Sequence, residues 1–243
     1  MPNEILWILF LITDFGLALV AIYFFGRKAL FVIIAVDIVV CNIQVLKIIE
    51  IFGMVATLGN ILYGSIFLAT DLLGEAFGKK EAQRGVWLGF FALLFMTISM
   101  QFALLFQPHE SDFISQSLQN IFGLVPRVAF ASIVAYLTSQ LHDVWAFHFW
   151  RDKTKGKHLW LRNNASTLVS QAIDSVVFVV IAFYGVFERN ILISILLTTY
   201  FIKVIVALLD TPVIYLGRWV LNKHHETFQQ VDSKQESTRD EDR

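Results

Sequence analysis

The sequence predicts an all-α polytopic membrane protein: a bundle of six or seven transmembrane helices, N-terminus outside and C-terminus in the cytoplasm. Three observations carry this. First, 56% of the 243 residues are hydrophobic and 16% are charged, against about 45–50% and about 25% in a soluble domain, and the mean hydropathy is +0.64. Second, apolar runs near the roughly 20 residues that cross a bilayer recur along the chain. Third, basic residues collect in alternate loops.

The candidate spans are 5–25, 29–46, 52–73, 86–106, 125–148, 165–187 and 191–217. The first starts at Ile5 with no basic residue before it, so it reads as a retained helix rather than a signal peptide, which carries a positive leader. Arg27 and Lys28 separate it from the second span. Lys79, Lys80 and Arg84 follow the third. A polar outer loop, 107–120, follows the fourth and opens with Gln107-Pro108. Basic residues from Arg151 to Arg162 divide the fifth from the sixth. Glu188–Asn190 is so short that the last two helices should form an antiparallel hairpin. Residues 1–221 therefore read as the transmembrane domain and 222–243, polar and charged, as a disordered cytoplasmic tail.

Orientation follows from the loops. One set holds twelve Lys and Arg residues and the alternate set three, Lys47, Arg127 and Arg189. Positive loops stay in the cytoplasm.

Composition also excludes. A net charge of −1 without a basic domain argues against nucleic acid as a partner. The single Cys41 forms no intrachain disulfide. No HExxH, GxSxG, Walker A or GxGxxG motif is present, and no nucleophile is paired with a base, so the chain does not read as an enzyme and implies no cofactor and no metal.

Ionisable residues inside the spans carry the functional signal. Asp14, Asp37, Asp71, Asp143, Asp174, Lys203 and Asp210 all fall there, where each costs about 2.5–3.5 kcal/mol to insert. Such groups normally face the bundle interior. Asn60, Tyr63, Phe67, Asp71 and Glu75 step by three or four along the third span. Asn163, Thr167, Ser170, Gln171 and Asp174 do so in the sixth, Ser139, Gln140 and Asp143 in the fifth, and Tyr200, Lys203 and Asp210 in the seventh. Ser139-Gln140-x-x-Asp143-x-x-x-Phe147 recurs as Ser170-Gln171-x-x-Asp174-x-x-x-Phe178, an echo that reads either as an inverted repeat or as chance in a narrow composition. Amides, carboxylates and aromatic faces together suit a planar heterocycle with an amide-like edge. The carboxylates fit proton coupling, and Lys203 with the aspartates fits a structural ion pair equally well.

Other features have plainer readings. Asp14 and Asp37 lack a polar stripe, and helix packing accounts for them as well as a site does. His142 and His148 sit among aromatic residues that read as an interfacial belt. Arg127 lies at the outer end of its span, where it snorkels or turns into the cavity.

Four stretches make the chain recognisable: NILYGSIFLATDLLGEAFGKKEA (60–82), RVAFASIVAYLTSQLHDVWAF (127–147), LWLRNNASTLVSQAIDSVVF (159–178) and YFIKVIVALLDTPVIY (200–215). They resemble the queuosine precursor transporter family, also called the VUT family, over roughly 51–215. The resemblance implies a bacterial inner-membrane, multi-pass importer of 7-deazaguanine precursors of queuosine: 7-cyano-7-deazaguanine, 7-aminomethyl-7-deazaguanine or queuine. It leaves the first helix as an addition to the core.

On that reading Asn60, Tyr63, Phe67, Asp71, Arg127, Gln140, Asp143, Asn164, Ser170, Gln171 and Asp174 bind the substrate. Gln140, Gln171 and Asn164 orient the base edge, Asp143 or Asp174 accepts its N–H pair, and Tyr63 and Phe67 stack on it. Glu75, Lys203 and Asp210 serve coupling or gating. Partners are the substrate and the bilayer, and a homodimer is compatible with a bundle this small. The rival reading is a membrane substrate-binding subunit of a vitamin-type uptake system that needs an ATP-driven partner.

Overall fold

The first helix, α1 (Asn3–Phe25), shows why the chain packs as a membrane bundle. Leu11, Asp14, Phe15, Ala18 and Ile22 are buried, a stripe at helical spacing. The opposite face exposes Ile5, Ile8, Leu9, Ile12, Leu17 and Phe24. A helix apolar on its exposed side is solvated by lipid.

A computed structural model describes residues 1–153, 159–205 and 215–223. Within these, only the backbone is described for 143–144, 147–148, 150–153 and 159–167. After α1 come α2 (Arg27–Gln44), strands β1 (Ile48–Ile51) and β2 (Met54–Thr57), a 3-10 turn (Leu58–Asn60), α3 (Tyr63–Phe77) and α4 (Lys79–Leu105). Then follow α5 (Ser115–Phe122), α6 (Val125–Lys153), α7 (Leu159–Phe183) and a helix over 189–205, here α8. A further helical stretch covers 215–223. The helical membrane bundle is as expected, and α1, α4 and the segment Ser115–His142 are long and apolar enough to cross a bilayer.

Two features differ from the sequence reading. The span expected over 52–73 is not one helix. Its first residues, with the four before them, form an antiparallel hairpin pairing Ile48 with Thr57 and Ile51 with Met54. Phe52 and Gly53 form its two-residue turn with φ of 51° and 72°, the left-handed pair that matches strand twist. Ile48–Ile51 and Met54–Thr57 are runs of four, mostly apolar but holding Glu50 and Thr57, too short for hydropathy to separate strand from helix. Only Tyr63–Phe77 is helical, 15 residues, or about 22 Å. The second difference is α5, a helix that starts inside the polar loop expected over 107–120 and ends at Phe122.

Single glycines join helices where no loop intervenes. Gly26 (φ 54°) links α1 to α2 and Gly78 (φ 91°) links α3 to α4, conformations that side-chain-bearing residues resist. The two joints are stapled together. Glu81 takes both Arg27 and Arg84 as partners, and the Arg27 guanidinium lies 5.1 Å from the Phe77 ring centroid.

Close backbone approach builds the first core. A Cβ on Gly89 of α4 would meet Ile38 Cδ1 at 2.2 Å, and one on Gly59 would meet the Cys41 carbonyl oxygen at 2.5 Å. Leu30, Ile34, Leu68, Leu72, Leu73 and Leu93 fill that core between α1, α2, α3 and α4. A second core of Val128, Ala131, Ala135, Phe178, Phe183 and Ile195 joins α6, α7 and α8. Ser132 on α6 donates to Asn42 Oδ1 on α2 at 2.6 Å, tying the two halves together.

Candidate functional site

Lys203 is 1% exposed, which a lone ammonium cannot sustain in an apolar interior. Its partner is Asp174 on α7, in direct contact. Its Nζ also lies 4.3 Å from the centroid of the Tyr63 ring, a cation–π distance. Three elements meet here: α3 brings Tyr63, α7 brings Asp174 and α8 brings Lys203. Tyr63 leans on Phe67, one turn along α3, with centroids 6.0 Å apart. The result is an ion pair beside two tilted aromatic faces.

The hairpin side of this group is closed by hydrogen bonds. Asn60, 2% exposed, donates from Nδ2 to Thr57 Oγ1 at 3.2 Å and to Thr199 Oγ1 at 3.4 Å. Its amide thus fastens the end of β2 to α8. Ser194 Oγ accepts the Val55 N–H at 3.1 Å, and Thr198 Oγ1 donates to the Val55 carbonyl at 3.0 Å. Hydroxyls of α8 stand where a third strand would pair with β2. At the hairpin turn, Phe52 N–H donates to Glu4 Oε1 at 3.0 Å.

A second polar group lies between α1, α2 and α3. Ser65 is fully buried. Its hydroxyl meets Asp14 Oδ2 at 2.6 Å and Asp37 Oδ2 at 2.8 Å. Sequence reasoning saw the two aspartates but not the serine that joins them. The available signal was their shared status as acids inside neighbouring spans.

The remaining predicted residues divide. Ser170, 5% exposed, lies 3.1 Å from His142 Nδ1, so His142 bridges α6 to α7 besides packing against Trp145. Gln171 is half-buried one turn before Asp174. Ser139 is buried while Gln140 is exposed, so the face expected to unite them is split. Arg127 donates from Nε to the Ile181 carbonyl at 2.6 Å and from Nη2 to that of Tyr184. It caps the last turn of α7, whose carbonyls lack helical partners. Asp71 and Glu75 lie toward the far end of α3, with Glu75 paired to Arg218 at 2.8 Å. The side chains of Asp143 and Asn164, and Asp210 altogether, lie outside the described residues.

The family model described as "Putative vitamin uptake transporter" matches residues 57–217. A Bacillus subtilis protein named "Probable queuosine precursor transporter" is 43% identical over 219 residues, 90% of this chain and 96% of that protein. The chain belongs to this transporter family. The matched stretch begins at the end of β2 and contains Tyr63, Asp174 and Lys203. The Escherichia coli "Queuosine precursor transporter" is 30% identical over 163 residues, 66% of this chain and 71% of that protein. A Haemophilus influenzae protein named "Probable queuosine precursor transporter" is 34% identical over 134 residues, 55% of this chain and 54% of that protein. No solved structure matches. This transporter is a membrane protein and not an enzyme.

Proposed function

We propose that this protein imports a 7-deazaguanine precursor of queuosine across the bacterial inner membrane, as a multi-pass protein with its N-terminus outside and residues 222–243 as a cytoplasmic tail. The observation that carries the reading is the Lys203–Asp174 pair beside Tyr63, in a chain whose relatives are named queuosine precursor transporters.

The chemistry fits a guanine-like edge. That edge presents two adjacent N–H donors and a carbonyl acceptor. A carboxylate takes two parallel N–H bonds, and an ammonium donates to a carbonyl oxygen. Substrate therefore exchanges one ion pair for two charge-assisted contacts, Asp174 to the N–H donors and Lys203 to the oxygen. Tyr63 and Phe67 offer faces to the ring, and Gln171 lies one turn away to read its substituents.

Proton coupling belongs to the other polar group. A serine hydroxyl carries one proton and donates to one acceptor. With Asp14 and Asp37 both against Ser65 Oγ, the trio is complete when one carboxyl is itself protonated. Protonation and release there, between three helices, ties proton movement to helix movement.

The test is tRNA queuosine content in a synthesis-deficient host expressing this chain. Cells are fed separately with 7-cyano-7-deazaguanine, 7-aminomethyl-7-deazaguanine and queuine. Restoration by one of them identifies the cargo. No restoration, with the protein present in the membrane, removes the reading. Uptake by the purified protein in liposomes without nucleotide excludes an ATP-driven partner.

A further inference from the structure

The far end of α3 opens into a cavity of about 560 Å³ lined by Thr70, Asp71, Glu75, Lys79, Tyr215 and Arg218. Its volume is in the range of about 300–1,000 Å³ typical of small-molecule sites. Asp71 has no hydrogen bond or ion pair among the described residues. Glu75, one turn further, is bonded to Arg218, and both side chains are about half exposed, at 54% and 55%. Asp71 is thus an uncommitted carboxylate facing the cavity, and Glu75–Arg218 is a closed pair at its rim.

The lining constrains the occupant. A simple anion placed here meets Asp71 and Glu75; a metal cation meets Lys79 and Arg218. A neutral, flat molecule carrying both N–H donors and acceptor atoms satisfies both signs at once. The cavity also shares a side of α3 with the ion-pair site. Tyr63, Phe67, Asp71 and Glu75 are spaced by four along α3, so they run down one side of the helix. Tyr63 and Asp71 are separated by about 12 Å of helix rise. Half-buried Phe67 stands between them, already in contact with Tyr63.

We propose that this cavity is a second binding station for the same heterocycle, in which Asp71 accepts its N–H donors and Tyr215 lies against its ring, with Glu75–Arg218 as the latch at the rim. The inference rests on the import reading above. Cargo leaves the Lys203–Asp174 pair, passes Phe67 and pauses at Asp71 before the latch opens.

Cys41, the sole native thiol, is 4% exposed, so an introduced thiol is labelled without background. Thr70→Cys in the full chain, in inverted membrane vesicles, is treated with an impermeant maleimide with and without 7-cyano-7-deazaguanine. At ten times its Kd a bound ligand leaves about one site in eleven empty, so labelling slows about tenfold. Tyr215→Ala, which leaves α3 untouched, weakens that protection, and Glu75→Gln speeds labelling in the absence of ligand. The vesicles are assayed for uptake in parallel with the wild-type chain. Wild-type uptake with no protection of Thr70→Cys overturns the second station and spares the import reading. No wild-type uptake overturns both. Full protection in the Tyr215→Ala protein removes Tyr215 from the site.

Discussion

Lys203 and Asp174, on adjacent helices α8 and α7, neutralise one another in an interior where Lys203 is 1% exposed. The pair has two separable roles, holding the helices together and meeting cargo, and the first prediction separates them. Removing one partner of a buried pair costs about 3–5 kcal/mol. Lys203→Met and Asp174→Asn should each lower the yield of folded protein and abolish uptake. The double substitution Lys203→Met/Asp174→Leu should recover folding, read as a monodisperse peak in detergent, without recovering uptake. Recovered uptake would make the pair purely structural.

Ser65 offers a different test, because its hydroxyl serves two carboxylates. Under proton coupling, wild-type uptake falls as external pH rises. Asp37→Asn or Asp14→Asn removes one of the two carboxyls that can share the proton, and one or both should flatten that profile while leaving the protein able to bind cargo. An unchanged profile in Asp37→Asn and Asp14→Asn alike moves coupling elsewhere.

Glu81 staples the two glycine joints through Arg27 and Arg84. The hydrogen bond from Arg27, then its charge and the contacts of Arg84, hold the carboxyl below the ordinary glutamate range against a smaller desolvation effect. A depressed pKa stabilises the fold above the unfolded value, about 4.3, and that contribution is lost as pH falls through the folded value. Glu81→Gln should therefore lower Tm at pH 7, and the difference should close below about pH 4. A gap that persists in acid would assign the effect to packing.

Two glycines should respond unequally to alanine. The Cβ of Gly89→Ala meets the tip of the Ile38 side chain, which can rotate, whereas that of Gly59→Ala meets the Cys41 carbonyl oxygen and the Val45 nitrogen, at 2.5 and 3.0 Å. Backbone yields less readily than a methyl, so Gly59→Ala should cost more, about 1–3 kcal/mol, read as a lower Tm in detergent. Equal losses would show that the turn at 58–60 shifts freely.

How much of this was legible in the sequence depends on the kind of signal. The long apolar helices were, because continuous hydropathy is a property of each segment alone. The hairpin was not, since Ile48–Ile51 and Met54–Thr57 are only four residues each, too short for periodicity to separate strand from helix. Lys203 and Asp174 declared themselves by the cost of ionisable groups in lipid. Ser65 did not, because a serine is unremarkable until two acids from other helices converge on it. Asn60 was visible as a polar group in a span, but its bonds to Thr57 and Thr199 depend on a strand end that periodicity does not show. For Arg127 the sequence allows interface and cavity alike; the carbonyls it caps become visible only with α7 packed against α6.

Because the open edge of β2 is satisfied by Ser194 and Thr198 rather than by another strand, hydropathy misjudges those two positions. Replacing the hydroxyls with alanine and valine would make α8 a better membrane helix by any transfer scale. It would also leave the N–H and carbonyl of Val55 without these side-chain partners on a part-buried strand. Selection for easier insertion and selection for a sealed hairpin therefore pull in opposite directions at residues 194 and 198.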